Sequence, residues 1–150
     1  GVTAGVTFVD DYAHNPGKVS AVVSTAARGG WGRVVTVFQP HRYSRTEALW
    51  REFGSSFDGA DLVVITDVDG AGEPPRAGVT GHLIVDALAA DRPDLEVVYV
   101  ADRHEVAATV SGLLRGGDLC LTLGAGDVTG LPDEVQAELA RTDDDHGGGR

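Results

Sequence analysis

Two short polar segments carry the side chains of this 150-residue chain that are best suited to chemistry. Residues 10–16 (Asp-Asp-Tyr-Ala-His-Asn-Pro) bring two carboxylates, a phenol and an imidazole directly after an apolar run. Residues 39–46 (Gln-Pro-His-Arg-Tyr-Ser-Arg-Thr) follow the next apolar run in the same way. In an open α/β sheet, ligands bind at the carboxyl ends of the strands. We therefore expect the two segments to lie on adjacent strand ends and to form two halves of one site.

Arg42 and Arg45 are the side chains of the second segment that best suit an anionic ligand. They are three positions apart at a predicted loop-to-helix junction, so they can face the same way. Two guanidinium groups there can bind a carboxylate or a phosphorylated intermediate. Most arginine pairs are solvated surface residues, but the flanking His41 and Tyr43 favour a site here.

Each side chain of the first segment has a functional and a local interpretation. His14 could orient a substrate or hydrogen-bond its own loop. Asp11 could accept a hydrogen bond from a ribose hydroxyl or cap its own turn. Taken singly, the local interpretation is the better one. Together on adjacent strand ends, the residues favour a site.

Several other functional signatures are absent from the sequence. There is no G-x-x-x-x-G-K-[ST] motif, so a phosphate-binding loop for ATP would have to lie in another domain. Gly124 and Gly126 begin a glycine pattern whose third member, Gly130, comes one position late, and a tight turn explains them better. The histidines and the single Cys120 show no metal-ligand spacing, and we expect no metal site.

The elements that position the two segments follow from hydrophobic periodicity. Five apolar runs indicate strands, at residues 6–10, 33–38, 62–66, 96–100 and 118–123. Helical patterns follow these strands, and the alternation predicts an α/β, Rossmann-like three-layer domain with a mostly parallel sheet and helices on both faces.

Local signals indicate where some of these elements begin and end. Asn15 and Pro16 are a favoured pair for the N-cap and first residue of a helix. Thr46 and Glu47 are predicted to open the helix after the second strand. The acidic and glycine-rich tail, residues 141–150, is predicted to be disordered.

Composition limits the classes of partner and location. The formal net charge of -11 argues against nucleic acid and anionic membranes as partners. One cysteine rules out an internal disulfide and fits a cytoplasmic location. No apolar run approaches the roughly 20 residues of a membrane span, and we expect no signal peptide.

The sequence resembles the C-terminal domain of the Mur ligases across nearly all of residues 6–140. Four segments carry the resemblance: residues 10–16, 38–46, 72–75 and 122–127. The D-Y-A-H-N-P string is shared across the Mur ligases and, more loosely, the folylpolyglutamate synthases. The F-Q-P-H-R-Y-S-R-T string is far more specific to the alanine-adding branch.

The resemblance implies that residues 1–140 are the third domain of a three-domain, ATP-dependent ligase of peptidoglycan synthesis. In that family the first domain binds the UDP-sugar, here UDP-N-acetylmuramate. The central domain provides most of the binding of ATP and Mg²⁺. The muramoyl carboxylate is phosphorylated, and L-alanine attacks the acyl phosphate through a tetrahedral intermediate. This chain alone is then expected to be inactive.

The resemblance also implies roles for the residues of the second segment. Arg42 and Arg45 would be catalytic and substrate-binding, because they would hold the alanine carboxylate and the negative charge of the intermediate. His41 would line the same substrate site and support the two arginines.

For the first segment, the resemblance implies contacts with both the amino acid and the nucleotide. His14, as a catalytic and substrate-binding residue, and Tyr12 would line the amino-acid pocket near the reacting centre. Asp11, with Tyr12, would contact the nucleotide at its ribose or adenine edge. Asn15 stands where alanine-adding members often have a second histidine.

Two other interpretations of the chain stay open. It could be the corresponding domain of a murein-peptide or folylpolyglutamate ligase, although the H-R-Y-S-R string speaks against this. It could also be a Rossmann-like module that binds a small ligand or a protein partner without chemistry.

Overall fold

The computed structural model describes residues 1–147. The strands in this part of the chain are β1 (Val2–Thr3), β2 (Val6–Asp11), β3 (Arg33–Phe38), β4 (Leu62–Thr66), β5 (Glu96–Val100) and β6 (Asp118–Leu123). The α-helices are α1 (Pro16–Ala27), α2 (Tyr43–Leu49), α3 (His82–Asp91), α4 (Val106–Leu113) and α5 (Leu131–Gly147). The five strands predicted from periodicity are all present, and β1 is an additional short strand that periodicity could not detect.

The strands form one sheet in the order β1-β2-β6-β3-β4-β5. All neighbouring strands are parallel except β1, which pairs antiparallel with β2, so the prediction of a mostly parallel sheet is confirmed. The prediction that the ends of β2 and β3 are adjacent is wrong, because β6 lies between them. All six residues of β6 are buried. An apolar strand of this kind gains most from a central position, and strand order along the chain does not reveal that.

Helices cover both faces of the sheet, which confirms the three-layer architecture. Residues of α1, the helical segment 43–55 and α3 pack on one face, around Phe38. Residues of α4 and α5 pack on the other face, around Val37 and Cys120. Successive residues of a strand point to opposite faces, so the largely apolar strands serve both cores at once.

The start of α1 agrees with the sequence prediction, whereas the start of α2 does not. The Asn15 side chain accepts a hydrogen bond from the Lys18 N–H at 2.9 Å, and Pro16 is the first helical residue. Helix α2 begins at Tyr43, three residues before the predicted start at Thr46. Its first turn is held by a carboxylate from a distant loop, described below, which a local capping rule cannot find.

The last helix is longer than the sequence indicates. Helix α5 continues to Gly147, through residues 141–147 of the segment predicted to be disordered. No proline or glycine interrupts residues 133–146. Arg141 pairs with Glu138, and the Thr142 hydroxyl donates to the Glu138 carbonyl at 3.0 Å. Side chains one turn apart therefore support the helix. The rest of the predicted tail, residues 148–150, lies outside the described residues.

None of the helices in residues 1–147 is both long enough and apolar enough to cross a membrane.

Candidate functional site

The two polar segments meet across the end of β6. The Gly124 N–H, just beyond β6, donates to the Asp11 carbonyl at 3.1 Å, and the Gln39 N–H donates to the Leu123 carbonyl at 3.1 Å. Gly124 has a φ of 147°, and an added Cβ would lie 2.7 Å from Val128 Cγ1. Glycine is required here because the chain turns in a conformation that other residues rarely adopt. The tip of β6 thus bridges the first and second segments.

His14 and His41 are brought together by this arrangement. Their ring centroids are 5.8 Å apart, with an interplanar angle of 62°. His14 Nδ1 lies 2.9 Å from the Tyr12 carbonyl oxygen, which fixes the ring against its own loop. His41 Nδ1 is buried and has no hydrogen-bond partner among residues 1–147. Both the local interpretation of His14 and its place in a shared site are therefore compatible with the geometry.

The electrostatic surroundings of His41 show which charges converge on it. Burial lowers the pKa of His41 below 6.5, and the charges of His14, Arg42 and Arg45 lower this pKa further. Asp69 opposes the shift. His41 is therefore mainly neutral at pH 7, and both guanidinium groups lie within electrostatic range of its ring.

The two guanidinium groups have no partner in the described part of the chain. Neither Arg42 nor Arg45 forms a side-chain hydrogen bond or ion pair with another described residue. Arg45 Nη1 is buried and unsatisfied. A buried donor without a partner costs free energy. The pair is consequently available to an anion that approaches this edge of the sheet.

Asp11 and Tyr12 line a surface cavity that His14 also lines. Asp11 Oδ1 accepts a hydrogen bond from the Ala13 N–H at 2.8 Å, so this carboxylate does cap its own turn. The Tyr12 ring is 66% exposed. The cavity, about 480 Å³ in volume, is lined by residues 11–14 and by α1 through Lys18, Ala21 and Val22.

Sequence reasoning missed the residues that hold the second segment in place. Gln39 is 3% exposed, and its amide donates to Asp127 Oδ1 at 2.6 Å and accepts from the Val128 N–H at 3.2 Å. Asp69 Oδ2 accepts from the Asp127 N–H at 3.2 Å. Glu73, within one of the segments that carry the family resemblance, bonds to the start of α2. The signal available in the sequence was a polar residue, Gln39, directly after the apolar run of a predicted strand.

Possible metal ligands and the single thiol are the other groups in this part of the chain that could do chemistry. Among the described side chains, those of residues 1–144, no three or more His, Cys, Asp or Glu are grouped to hold a metal ion. Cys120 is buried in the sheet, and burial raises its pKa to about 12. A thiol with that pKa stays protonated and is a poor nucleophile at neutral pH.

A family model described as "Mur ligase, glutamate ligase domain" matches residues 1–126. The chain belongs to this family, whose members are the C-terminal domains of Mur ligases. Within the family, it is 47% identical over 143 residues to the UDP-N-acetylmuramate–L-alanine ligase of Rubrobacter xylanophilus. It is 48% identical over 143 residues to the ligase of the same name from a Mycobacterium species.

These matches cover 93% of this chain but only 32% and 28% of the two relatives, so the chain spans about a third of their length. Two solved structures share the fold. The UDP-N-acetylmuramate-alanine ligase of Thermotoga maritima superposes with a TM-score of 0.69 at 24% identity, covering 95% of this chain and 28% of that one. A murein peptide ligase from Psychrobacter arcticus superposes with a TM-score of 0.73 at 14% identity, and the match covers 93% of this chain and 28% of that one.

Proposed function

We propose that this chain is the C-terminal domain of a cytoplasmic, ATP-dependent ligase that joins L-alanine to UDP-N-acetylmuramate in peptidoglycan synthesis. One structural arrangement carries the proposal: the His14 and His41 rings lie 5.8 Å apart, and Arg42 and Arg45, which have no side-chain hydrogen-bond or ion-pair partner among the described residues, are close enough to lower the pKa of His41. The names of relatives that are 47% and 48% identical over 93% of the chain support the choice of alanine as the added amino acid.

Arg42 and Arg45 bind the α-carboxylate of L-alanine in this proposal. A planar guanidinium matches a carboxylate in two parallel hydrogen bonds, which gives both affinity and orientation. The unsatisfied Arg45 Nη1 gains a partner when the carboxylate arrives. The negative net charge of the chain makes this local positive pair the natural destination for a small anion.

His14, His41 and Tyr12 surround the amino group of the bound alanine. The mainly neutral His41 ring adds no third full positive charge beside the two guanidinium groups. Such a site accepts one carboxylate and leaves room for the neutral amine that must attack the acyl phosphate. As the tetrahedral intermediate forms, the arginines stabilise its negative charge.

The nucleotide contacts in this proposal come from Asp11 and Tyr12. The exposed Tyr12 ring offers a flat surface to a base, and the second carboxylate oxygen of Asp11 can accept from a ribose hydroxyl. ATP and Mg²⁺ are held mainly by parts of the ligase outside this chain. Because the described side chains, those of residues 1–144, provide no cluster of metal ligands, we assign no step to Mg²⁺ here.

The test is ADP formation by the full-length ligase that contains this chain, with UDP-N-acetylmuramate and ATP present. We expect release of ADP that depends on L-alanine and is much slower with D-glutamate, L-glutamate or a murein tripeptide. Preference for glutamate or for the tripeptide would contradict the assignment of alanine. The chain alone is expected to release no ADP, because acyl-phosphate formation needs the remaining domains.

A further inference from the structure

The loop between β4 and α3 docks onto the segment that carries the two arginines. The Arg42 N–H donates to the Asp69 carbonyl at 2.7 Å, and the Asp69 N–H donates to the Pro40 carbonyl at 2.9 Å. These bonds form an isolated parallel bridge between His41 and Asp69. The loop thus adds two strand-like hydrogen bonds to the backbone just before α2.

Arg42 is held in an unusual backbone conformation at this point. Its φ of 71° and ψ of 133° lie in a region that residues with a side chain rarely adopt. Such a conformation costs free energy and persists only where surrounding bonds over-determine it. Two bonds hold the Arg42 backbone: its N–H donates to the Asp69 carbonyl, and its carbonyl accepts from the Thr46 hydroxyl at 2.8 Å. The direction in which the Arg42 side chain leaves the backbone is therefore set by its neighbours.

The same loop supplies the cap that α2 lacks locally. Arg42, at the N-cap position, makes no side-chain capping bond. Instead, Glu73 Oε1 accepts from the Ser44 N–H at 3.0 Å and Glu73 Oε2 accepts from the Ser44 hydroxyl at 2.5 Å. The bond from the Ser44 hydroxyl contributes most to lowering the pKa of the Glu73 carboxyl, and the bond from the Ser44 N–H lowers it further.

Glu73 makes these bonds without neutralising the arginines. It forms no ion pair with Arg42 or Arg45, although it bonds to Ser44 between them in the sequence. A carboxylate that paired with either guanidinium would compete with an incoming anion. Because Glu73 bonds instead to the N–H and the hydroxyl of Ser44, it holds the start of α2 and leaves both guanidinium groups available to an anion.

From this geometry we infer that Glu73 is a positioning residue for alanine binding: by accepting from both the N–H and the hydroxyl of Ser44, it sets the direction of the Arg42 and Arg45 side chains. The inference rests on the proposed function, which supplies the carboxylate that the arginines bind. Errors of about 1 Å in the placement of a binding group can cost as much as a hundredfold in rate.

The test compares Glu73→Ala, Glu73→Gln and Ser44→Ala with Glu47→Gln in the full-length ligase. Glu47 is the matched control, because it is an exposed carboxylate on the same helix and pairs with Arg76 at 3.8 Å rather than with the start of α2. We expect Glu73→Ala to raise the KM for alanine by about tenfold or more, with the KM for ATP within about twofold of the wild type. Glu73→Gln keeps one acceptor and should have a smaller effect.

A double-variant cycle separates positioning from general damage. If Glu73 acts through Ser44, then Ser44→Ala alone should raise the KM for alanine above that of the wild type. The double variant should have a KM for alanine close to that of Glu73→Ala alone. If Glu73→Ala fails to fold, Glu73→Gln and Ser44→Ala decide the question. An alanine KM equal to that of Glu47→Gln, or equal increases in the KM of all three substrates, would overturn the inference.

Hydrogen exchange of the Ser44 amide gives a readout that does not require turnover. This amide should exchange faster in Glu73→Ala than in Glu47→Gln, because it loses its acceptor. An unchanged exchange rate in Glu73→Ala would overturn the positioning role, whatever values of KM and kcat the variant has. Absence of alanine-dependent ADP release by the wild type would instead contradict the proposed function alone.

Discussion

The imidazole rings of His14 and His41 lie 5.8 Å apart although their strands, β2 and β3, do not pair with each other. The strand between them, β6, ends in a turn at Gly124 that bonds to the end of β2, and its last residue bonds to the segment after β3. This short bridge joins the two polar segments into one candidate site, although His14 and His41 are 27 residues apart in the sequence. The following predictions test the parts of that arrangement.

Replacement of Arg42 or Arg45 by alanine in the full-length ligase should raise the KM for L-alanine by roughly tenfold or more and lower kcat. Lysine should restore only part of the affinity, because it cannot form two parallel hydrogen bonds with a carboxylate. Steady-state kinetics with alanine as the varied substrate measure this. Arg51→Ala is the control, since Arg51 lies over the Trp50 ring, away from the two histidines. Wild-type kinetics in both arginine variants would remove the pair from the site.

His41 should make stability depend on pH just below neutrality. Its pKa in the folded chain is below 6.5, so between that pKa and 6.5 the unfolded state binds more protons. The free energy of unfolding should therefore fall as the pH falls through this window. His41→Gln cannot take up the proton and should show a weaker pH dependence in urea unfolding between pH 5 and 8.

The exposed His104 provides the control for this experiment. His104→Gln should keep the pH dependence of the wild type. If His41→Gln and the wild type instead lose stability in parallel, burial of His41 does not perturb its protonation.

Gly124→Ala should destabilise the chain by about 2 kcal/mol or more, because the new Cβ meets Val128 Cγ1 at 2.7 Å and the Gln39 carbonyl at 3.1 Å. Its φ of 147° adds strain. Gly112→Ala is a matched control within α4, where a Cβ meets nothing within 4 Å, and it should stabilise by up to about 1 kcal/mol. Chemical unfolding of both variants measures the contrast, and equal stabilities would refute the close approach at Gly124.

Asn15→Ala should cost about 1 kcal/mol of stability, since it removes the 2.9 Å bond to the Lys18 N–H at the start of α1. Asn15→Ser keeps an acceptor and should recover most of the loss. If Asn15 serves only as this cap, the alanine KM of the full-length ligase should stay the same in both variants. A raised KM in Asn15→Ser, with normal stability, would show that this residue also contacts the substrate.

The sequence was sufficient to predict the five longer strands and the start of α1, but not the order of the strands in the sheet. Apolar runs located the five longer strands because strands such as β4 and β6, buried throughout, must be apolar. Asn15 and Pro16 located the start of α1 because capping is a local interaction. The position of β6 between β2 and β3 depends on packing among distant segments, so no local pattern contains it.

The starts and ends of the later helices show the same limit. Glu73 caps α2 from 29 residues beyond Ser44, and only the folded loop brings the two together. The continuation of α5 through residues 141–147 is supported by pairs such as Glu138 with Arg141. The acidic and glycine-rich composition of this segment does not reveal such pairs. Side-chain roles in catalysis follow from the family resemblance and stay predictions.

Among the described strands, the one that joins the two halves of the candidate site is also the last in chain order. Residues 1–117 contain both histidines and both arginines, yet they lack the segment that pairs with both β2 and β3. A nascent chain that has not yet released β6 from the ribosome has two separate half-sites and two strand edges without that partner. The site can therefore assemble only after β6 has been synthesised.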